Sequence, residues 1–166
     1  MKKEFAEGWI FQINLSGGGV PKHGQSEAVV TIYGLQGDSQ ANKHVHGGPE
    51  RALCLYPVEL ILALQKEGHS VFPGAMGENI TLSGIDWSQI APGTRLRLGI
   101  DVVIEATRYT TPCSSLTPYF QNGKIQRVHQ DSHPGWSRMY VKVLQEGKIR
   151  VGDRVTLVEE EVIMAA

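Results

Sequence analysis

Lys148-Ile149-Arg150-Val151-Gly152-Asp153-Arg154-Val155-Thr156-Leu157-Val158 decides the fold, because Ala91-Pro92-Gly93-Thr94-Arg95-Leu96-Arg97-Leu98-Gly99 has the same rhythm. In both, a glycine turn leads into alternating apolar and polar residues, the period-2 signature of a half-buried strand. The match is too short to be a repeat. Glycine corners between short alternating strands are nevertheless the parts from which a closed or half-closed β-barrel is made. Arg95 and Arg97 fall on one face of their strand and are expected to face solvent.

Working outward, Gly8 to Leu15 reads as a first strand and Ser16-Gly17-Gly18-Gly19-Val20-Pro21-Lys22 as a hairpin connection. Three glycines suggest a phosphate loop, but no GK[ST] and no helix follow. A β-branched strand from about Glu27 to Tyr33 ends at Gly34-Leu35-Gln36-Gly37-Asp38. Ala52 to Tyr56 is a further strand, with Cys54 as core. Pro57 to Glu67 is the clearest helix, opened by proline and stopped by Gly68. Val58, Ile61, Leu62 and Gln65 share its inner face, widened by Leu60 and Leu64. A strand from Met139 to Leu144 follows a Pro134-Gly135 loop anchored by Trp136. The acidic tail from Glu159 to Ala166 is expected to fray.

Glu105-Ala106-Thr107-Arg108-Tyr109-Thr110-Thr111-Pro112-Cys113-Ser114-Ser115 carries the chemistry. Val102-Val103-Ile104 starts a strand, and Pro112 biases Thr111 to an extended backbone, which aims Cys113. Ser114, Ser115, Thr117 and Pro118 suit a helix start, with the helix running to about Val128. A thiol near a helix N-terminus, with Arg108 upstream, would have its anion favoured and could attack, carry sulfur or bind a soft metal. The plainer alternative is a small buried hydrophobe, the usual fate of a free cysteine.

Composition narrows the partners. The 166 residues make one domain, residues 1–166 with a core at about 8–158, and 16 Lys+Arg against 17 Asp+Glu leave a net charge of −1. Neither nucleic acid nor an acidic membrane surface is favoured, and small molecules are. Two cysteines without a CxxC pair imply neither a disulfide framework nor a cysteine zinc site, and point to a reducing cytoplasm. The N-terminus lacks an apolar signal region and no stretch approaches a membrane span, so a soluble protein is expected.

Two further segments offer binding groups. Asp38 to Arg51 puts Lys43, His44, His46 and Arg51 into a turn-rich run. His44 and His46, two apart, make a poor zinc pair on a strand. The run is either a solvated loop or an oxyanion cradle in which Lys43, Arg51 and the backbone around Gly47-Gly48 act together. In Val71 to Leu82, Gly74 and Gly77 allow close backbone approach and Asn79 offers a donor and an acceptor, whereas Glu78 is expected to be solvated.

Gly34 to Asp38, His46 to Glu59, Pro73 to Thr81, the Thr-Thr-Pro-Cys around Cys113 and Val151 to Val155 together resemble the MOSC domain. That family is named for its likeness to the C-terminal part of molybdenum cofactor sulfurases. The resemblance covers most of the chain and implies a mainly β fold: a strongly bent antiparallel β-barrel, like that of pyruvate kinase, with a few short helices. It also implies binding of molybdopterin-type molybdenum cofactor, a labile group, with Cys113 as metal ligand or sulfur carrier. Pyridoxal phosphate is not expected. Relatives among the amidoxime-reducing and hydroxylaminopurine-resistance proteins reduce N-hydroxylated compounds. This chain lacks their extra N-terminal barrel and iron–sulfur cysteines, so electrons would come from a separate donor protein. A cofactor-biosynthesis partner goes with the sulfur-carrier alternative. Candidate cofactor contacts are Lys43, His46, Gly47, Arg51, Gly77, Glu78, Asn79, Arg108 and Thr111.

Overall fold

A computed structural model describes residues 7–39 and 48–159. The expected short alternating strands form and close on themselves. They are β1 (Gly8–Leu15), β2 (His23–Gln25), β3 (Glu27–Thr31), β4 (Gly34–Leu35), β5 (Leu53–Pro57), β6 (Ile80–Ser83), β7 (Arg95–Leu98), β8 (Val102–Tyr109), β9 (Met139–Gln145), β10 (Gly147–Arg150) and β11 (Arg154–Leu157). The main sheet runs β11-β7-β8-β9-β5-β6-β1-β2, and β1 also pairs with β11 through Gly8↔Val155 and Trp9↔Arg154. Seven strands therefore form a closed barrel whose pairings are antiparallel except β5 with β6. Strands β10, β3 and β4 make a small second sheet.

Closure gives every barrel strand two neighbours, which removes the unpaired edges that invite aggregation. The two sequence stretches with the shared rhythm supply β7 and β11, and they pair with each other, Val155 opposite Leu98 and Leu157 opposite Leu96. Their apolar alternates, with Ile10, Ile13, Leu53, Leu55, Ile80, Leu82, Ile104 and Val141, fill the barrel. Arg95, on the opposite face, donates to Glu105 at 2.8 Å, and Lys142 lies 3.0 Å from the same carboxylate. Hydrogen bonding by Arg95 lowers the Glu105 pKa.

The helix α1 (Val58–Lys66) packs on the barrel through Val58, Ile61 and Leu64, and Gly68 ends it with a φ of 98°. Leu62 and Gln65 were expected on the inner face, but both are exposed because α1 is short and only a narrow stripe meets the barrel. The long helix expected from Cys113 to about Val128 is replaced by three short 3-10 turns at Ser114–Tyr119, Gln121–Gly123 and Ile125–Val128. Pro118 has no N–H to give inside the first turn, and Asn122 and Gly123 take φ values of 56° and 63°, so a continuous α-helix is broken twice. Trp136 does anchor the loop before β9: its carbonyl accepts from the Tyr56 hydroxyl at 2.8 Å and its ring lies under the Arg127 guanidinium at 3.8 Å. Among the described residues, no helix is long and apolar enough to cross a membrane. Of the expected frayed tail, all but Glu159 lies outside the described residues.

Candidate functional site

Strand register sets the site. At one rim of the barrel, Ile13 of β1 pairs with Ile80 of β6, Leu55 of β5 pairs with both Ile80 and Met139, and Met139 of β9 pairs with Tyr109 of β8. The segments that leave these strands, 16–22, 74–79 and 110–116, surround a cleft of about 120 Å³ that opens to solvent. Its walls include Lys22, Arg51, Cys54, Asn79, Cys113, Arg138 and Tyr140.

Cys113 reaches the cleft because β8 carries a bulge between Ala106 and Arg108, after which the chain leaves the sheet extended through Pro112. Its residue has φ −117° and ψ 168° and stands just before the first 3-10 turn. The sulfur is partly exposed and lies 2.8 Å from Ser115 Oγ. A six-residue 3-10 turn is a weak dipole, and the exposed Arg108 is not on the cleft wall. The unpaired positive charge of the cleft wall comes instead from Arg51 and Arg138, since Lys22 is paired with Asp38.

Of the residues expected to hold a cofactor, Arg51, Gly77 and Asn79 line the cleft with Cys113. Arg51 ends a 3-10 turn, Pro49–Arg51, and its guanidinium stands 5.8 Å from the centre of the Tyr140 ring. Thr107 in the β8 bulge fixes that turn, donating to Glu50 O at 2.6 Å. Thr111 is exposed and, like Arg108, is not part of the wall. Lys43, His44, His46 and Gly47 lie outside the described residues.

Glu78, expected in solvent, is fully buried. Gly74 and Gly77 make the sharp turns, φ 91° and 83°, that fold this carboxyl inward beneath the cleft. A Cβ on Gly74 would collide with the carbonyl oxygen of Lys22, so a side chain there would push the 16–22 loop off the rim. Thr81 Oγ1 donates to Glu78 Oε2 at 3.2 Å, whereas Oε1 has no hydrogen-bond partner among the described residues. Burial pushes the Glu78 pKa up to about 7, opposed by the nearby backbone N–H groups of Gly74 and Glu78 and by the charge of Arg138.

Asn79 uses both halves of its amide: Nδ2 donates to Asp38 at 2.9 Å and Oδ1 accepts from Cys54 N at 2.9 Å. Asp38 in turn accepts from Lys22 Nζ at 2.7 and 2.9 Å and from Ser16 N at 3.0 Å. This buried ion pair ties the 16–22 loop, the chain after β4 and the entrance of β6 into one wall. Cys54 is buried, as expected of a packing residue, and burial raises its thiol to about 12, so it is neutral at ordinary pH. It is also part of the cleft wall, a role that the apolar run around it conceals. Burial likewise raises the Tyr140 hydroxyl to about 12, which keeps its proton in place.

Arg138, Lys22, Asp38 and Tyr140 escape the sequence reading. Lys22 sits beside glycines and Arg138 beside Trp136, but a cation in a loop carries no mark of burial. In the sequence Arg138 falls only at the end of the Pro134-Gly135 loop anchored by Trp136.

The model of the MOSC domain family matches residues 42–156. Protein YiiM of Escherichia coli K12 is 34% identical over 137 residues, which cover 80% of this chain and 59% of that protein. A Gibberella moniliformis protein named "Reductase" is 29% identical over 133 residues, 76% of this chain but 23% of its own length. The crystal structure of YiiM from Geobacillus stearothermophilus superposes with a TM-score of 0.69 at 24% identity, covering 93% of this chain and 77% of that one. The chain thus spans about three-fifths of the length of its curated relative YiiM. The barrel and the match across 42–156 agree: the chain belongs to the MOSC domain family.

Proposed function

We propose that this chain binds molybdenum cofactor in the rim cleft and reduces N-hydroxylated compounds with electrons from a separate donor protein. The observation that carries the reading is that one cleft joins a partly exposed thiol, Cys113, to a buried guanidinium, Arg138, whose Nε has no hydrogen-bond partner among the described residues. A phosphate-bearing, sulfur-coordinated cofactor calls for that combination: a soft thiolate for the metal and cationic donors for the phosphate. The fit is also one of size. A cleft of about 120 Å³ holds an anchoring group and, being open, lets a larger molecule extend outward.

When bound, the cofactor supplies a two-electron metal centre of the kind that oxygen removal from an N–OH group requires. The chain's own side chains do the rest. Cys113 would ligate through Sγ, and Arg51 and Arg138 would hold anionic oxygens. Burial keeps the Tyr140 hydroxyl, on the cleft wall, protonated. Reduction of N–OH to N–H consumes two electrons and two protons and releases water. The relative named "Reductase" is in keeping with this class of chemistry.

The test is elemental analysis of protein made in a host that synthesises the cofactor. Wild type is expected to carry molybdenum near one per chain and to reduce a hydroxylamino base with a chemical reductant. Cys113→Ser is expected to lose at least nine-tenths of the metal, and Cys54→Ser, whose thiol is buried and neutral, to keep it. Loss in Cys54→Ser but not in Cys113→Ser would assign the wrong sulfur. Sulfane sulfur on Cys113 without molybdenum would replace this reading with that of a persulfide carrier.

A further inference from the structure

Five large apolar side chains that face solvent gather at one corner of the molecule: Val29, Ile32, Tyr33, Ile100 and Leu144. Ile100 and Tyr33 are the most open, at 86% and 76% exposed. Packing joins them. Ile100 sits in the turn between β7 and β8, which abuts the turn between β9 and β10, so that a Cβ on Gly147 would lie 2.8 Å from the Asp101 Cβ. Glu146 Oε2, in that second turn, accepts from Ile32 N at 2.9 Å, which brings in the turn between β3 and β4 with Tyr33. Val29 lies opposite Lys148 on the ladder of β3 and β10.

Opposite charges bracket this patch. Asp101 and Glu146 are exposed on one side, and among the described residues neither is within ion-pair distance of a cation. Lys148 and Arg150 are exposed on the other side and share one carboxylate, Glu27, at 3.0 and 3.4 Å.

Monomers rarely leave a contiguous apolar patch of more than a few hundred Å² in water, and a larger one with a polar rim marks an interaction site. The charges select the occupant. A partner of one sign would be repelled by one edge, whereas a second copy related by a two-fold axis sets the acidic edge of each chain against the basic edge of the other. The strand edge is not the route: β10 ends its sheet, but antiparallel pairing of two copies about Ile149 would oppose Lys148 to Arg150. The face is therefore what docks. It also lies away from the cleft, because β8 runs from Val102, beside the patch, to Tyr109 at the cleft rim, a span of about 23 Å at about 3.3 Å per residue.

We propose that this corner is the interface of an isologous dimer of this chain, with Ile100 and Tyr33 at its centre and with Asp101 and Glu146 of each copy facing Lys148 and Arg150 of the other. Both clefts stay open to ligand.

Sedimentation equilibrium of the full chain, from micromolar to hundred-micromolar concentration, is the test. Wild type is expected to dimerise across that range. Ile100→Glu and Tyr33→Glu each place a charge in the apolar centre and should weaken dimerisation by at least about thirtyfold. The edge variants Asp101→Lys/Glu146→Lys and Lys148→Glu/Arg150→Glu should each be monomeric, since both edges of a chain then carry one sign, and an equimolar mixture of the two should form a one-to-one dimer. Circular dichroism checks folding; where an edge variant is unfolded, the Ile100→Glu and Tyr33→Glu measurements decide. Wild type that stays monomeric throughout, a dimer that survives Ile100→Glu and Tyr33→Glu, or folded edge variants that do not pair when mixed would each overturn the proposal.

Discussion

Asp38→Ala is expected to destabilise the fold by about 3–5 kcal/mol, the range for removing one partner of a buried ion pair. The lost carboxylate accepts from Lys22 Nζ, Ser16 N and Asn79 Nδ2, at 2.7 to 3.0 Å, so three groups lose a partner at once. The ammonium of Lys22 is the costly one, because its side chain is 7% exposed and cannot reach water without moving the loop. Urea unfolding of the single variant and of the Lys22→Met/Asp38→Ala double variant separates charge from packing. The double variant should recover most of the loss, since the isolated charge is gone. A single variant that loses less than about 1 kcal/mol would mean that the pair is solvated and does not hold the cleft wall.

The second large effect is on pH dependence. The pKa of Glu78 is raised from 4.5 unfolded to about 7 folded, chiefly by burial. Between these values the unfolded chain releases a proton that the folded chain retains. Stability contributed by the neutral carboxyl is therefore fully present below the unfolded value and is lost as pH rises through the folded one. The gap corresponds to about 3 kcal/mol between pH 4.5 and pH 8. Glu78→Gln, which keeps the shape and does not titrate, should remove this part of the profile. Unfolding free energies of both proteins at pH 5, 6, 7 and 8 check it, because other titrations cancel in the difference. A wild-type and variant difference that stays flat across that range would place the carboxyl in water or in a compensating ion pair.

Together the two variants describe how the site is held. One buried carboxylate is satisfied and acts as a tie between loops, and the other has only one oxygen, Oε2, bonded to a side chain and lies near a guanidinium. Neither is expected from a sequence that is only 20% charged and balanced in sign. Gly74→Ala offers a smaller, independent check. With φ at 91° and the Lys22 carbonyl in the way, it should cost on the order of 2 kcal/mol in urea unfolding.

The sequence by itself determined the strand pattern, the barrel, the packing role of Cys54 and the delivery of Cys113 from the end of a strand. These depend on local periodicity, on turn glycines and on the fixed φ of proline, all of which are properties of neighbours in the chain. Tertiary structure decided the rest. The helix after Cys113 dissolved into 3-10 turns once Pro118, Asn122 and Gly123 each imposed its backbone preference. Arg108 turned outward while Arg138, 25 positions after Cys113 in sequence, came to the cleft beside it, because β8 and β9 pair antiparallel at that rim. Whether a lysine, arginine or glutamate is solvated or buried depends on what the barrel brings against it. That environment is assembled from residues tens of positions away, and so cannot be read from the line.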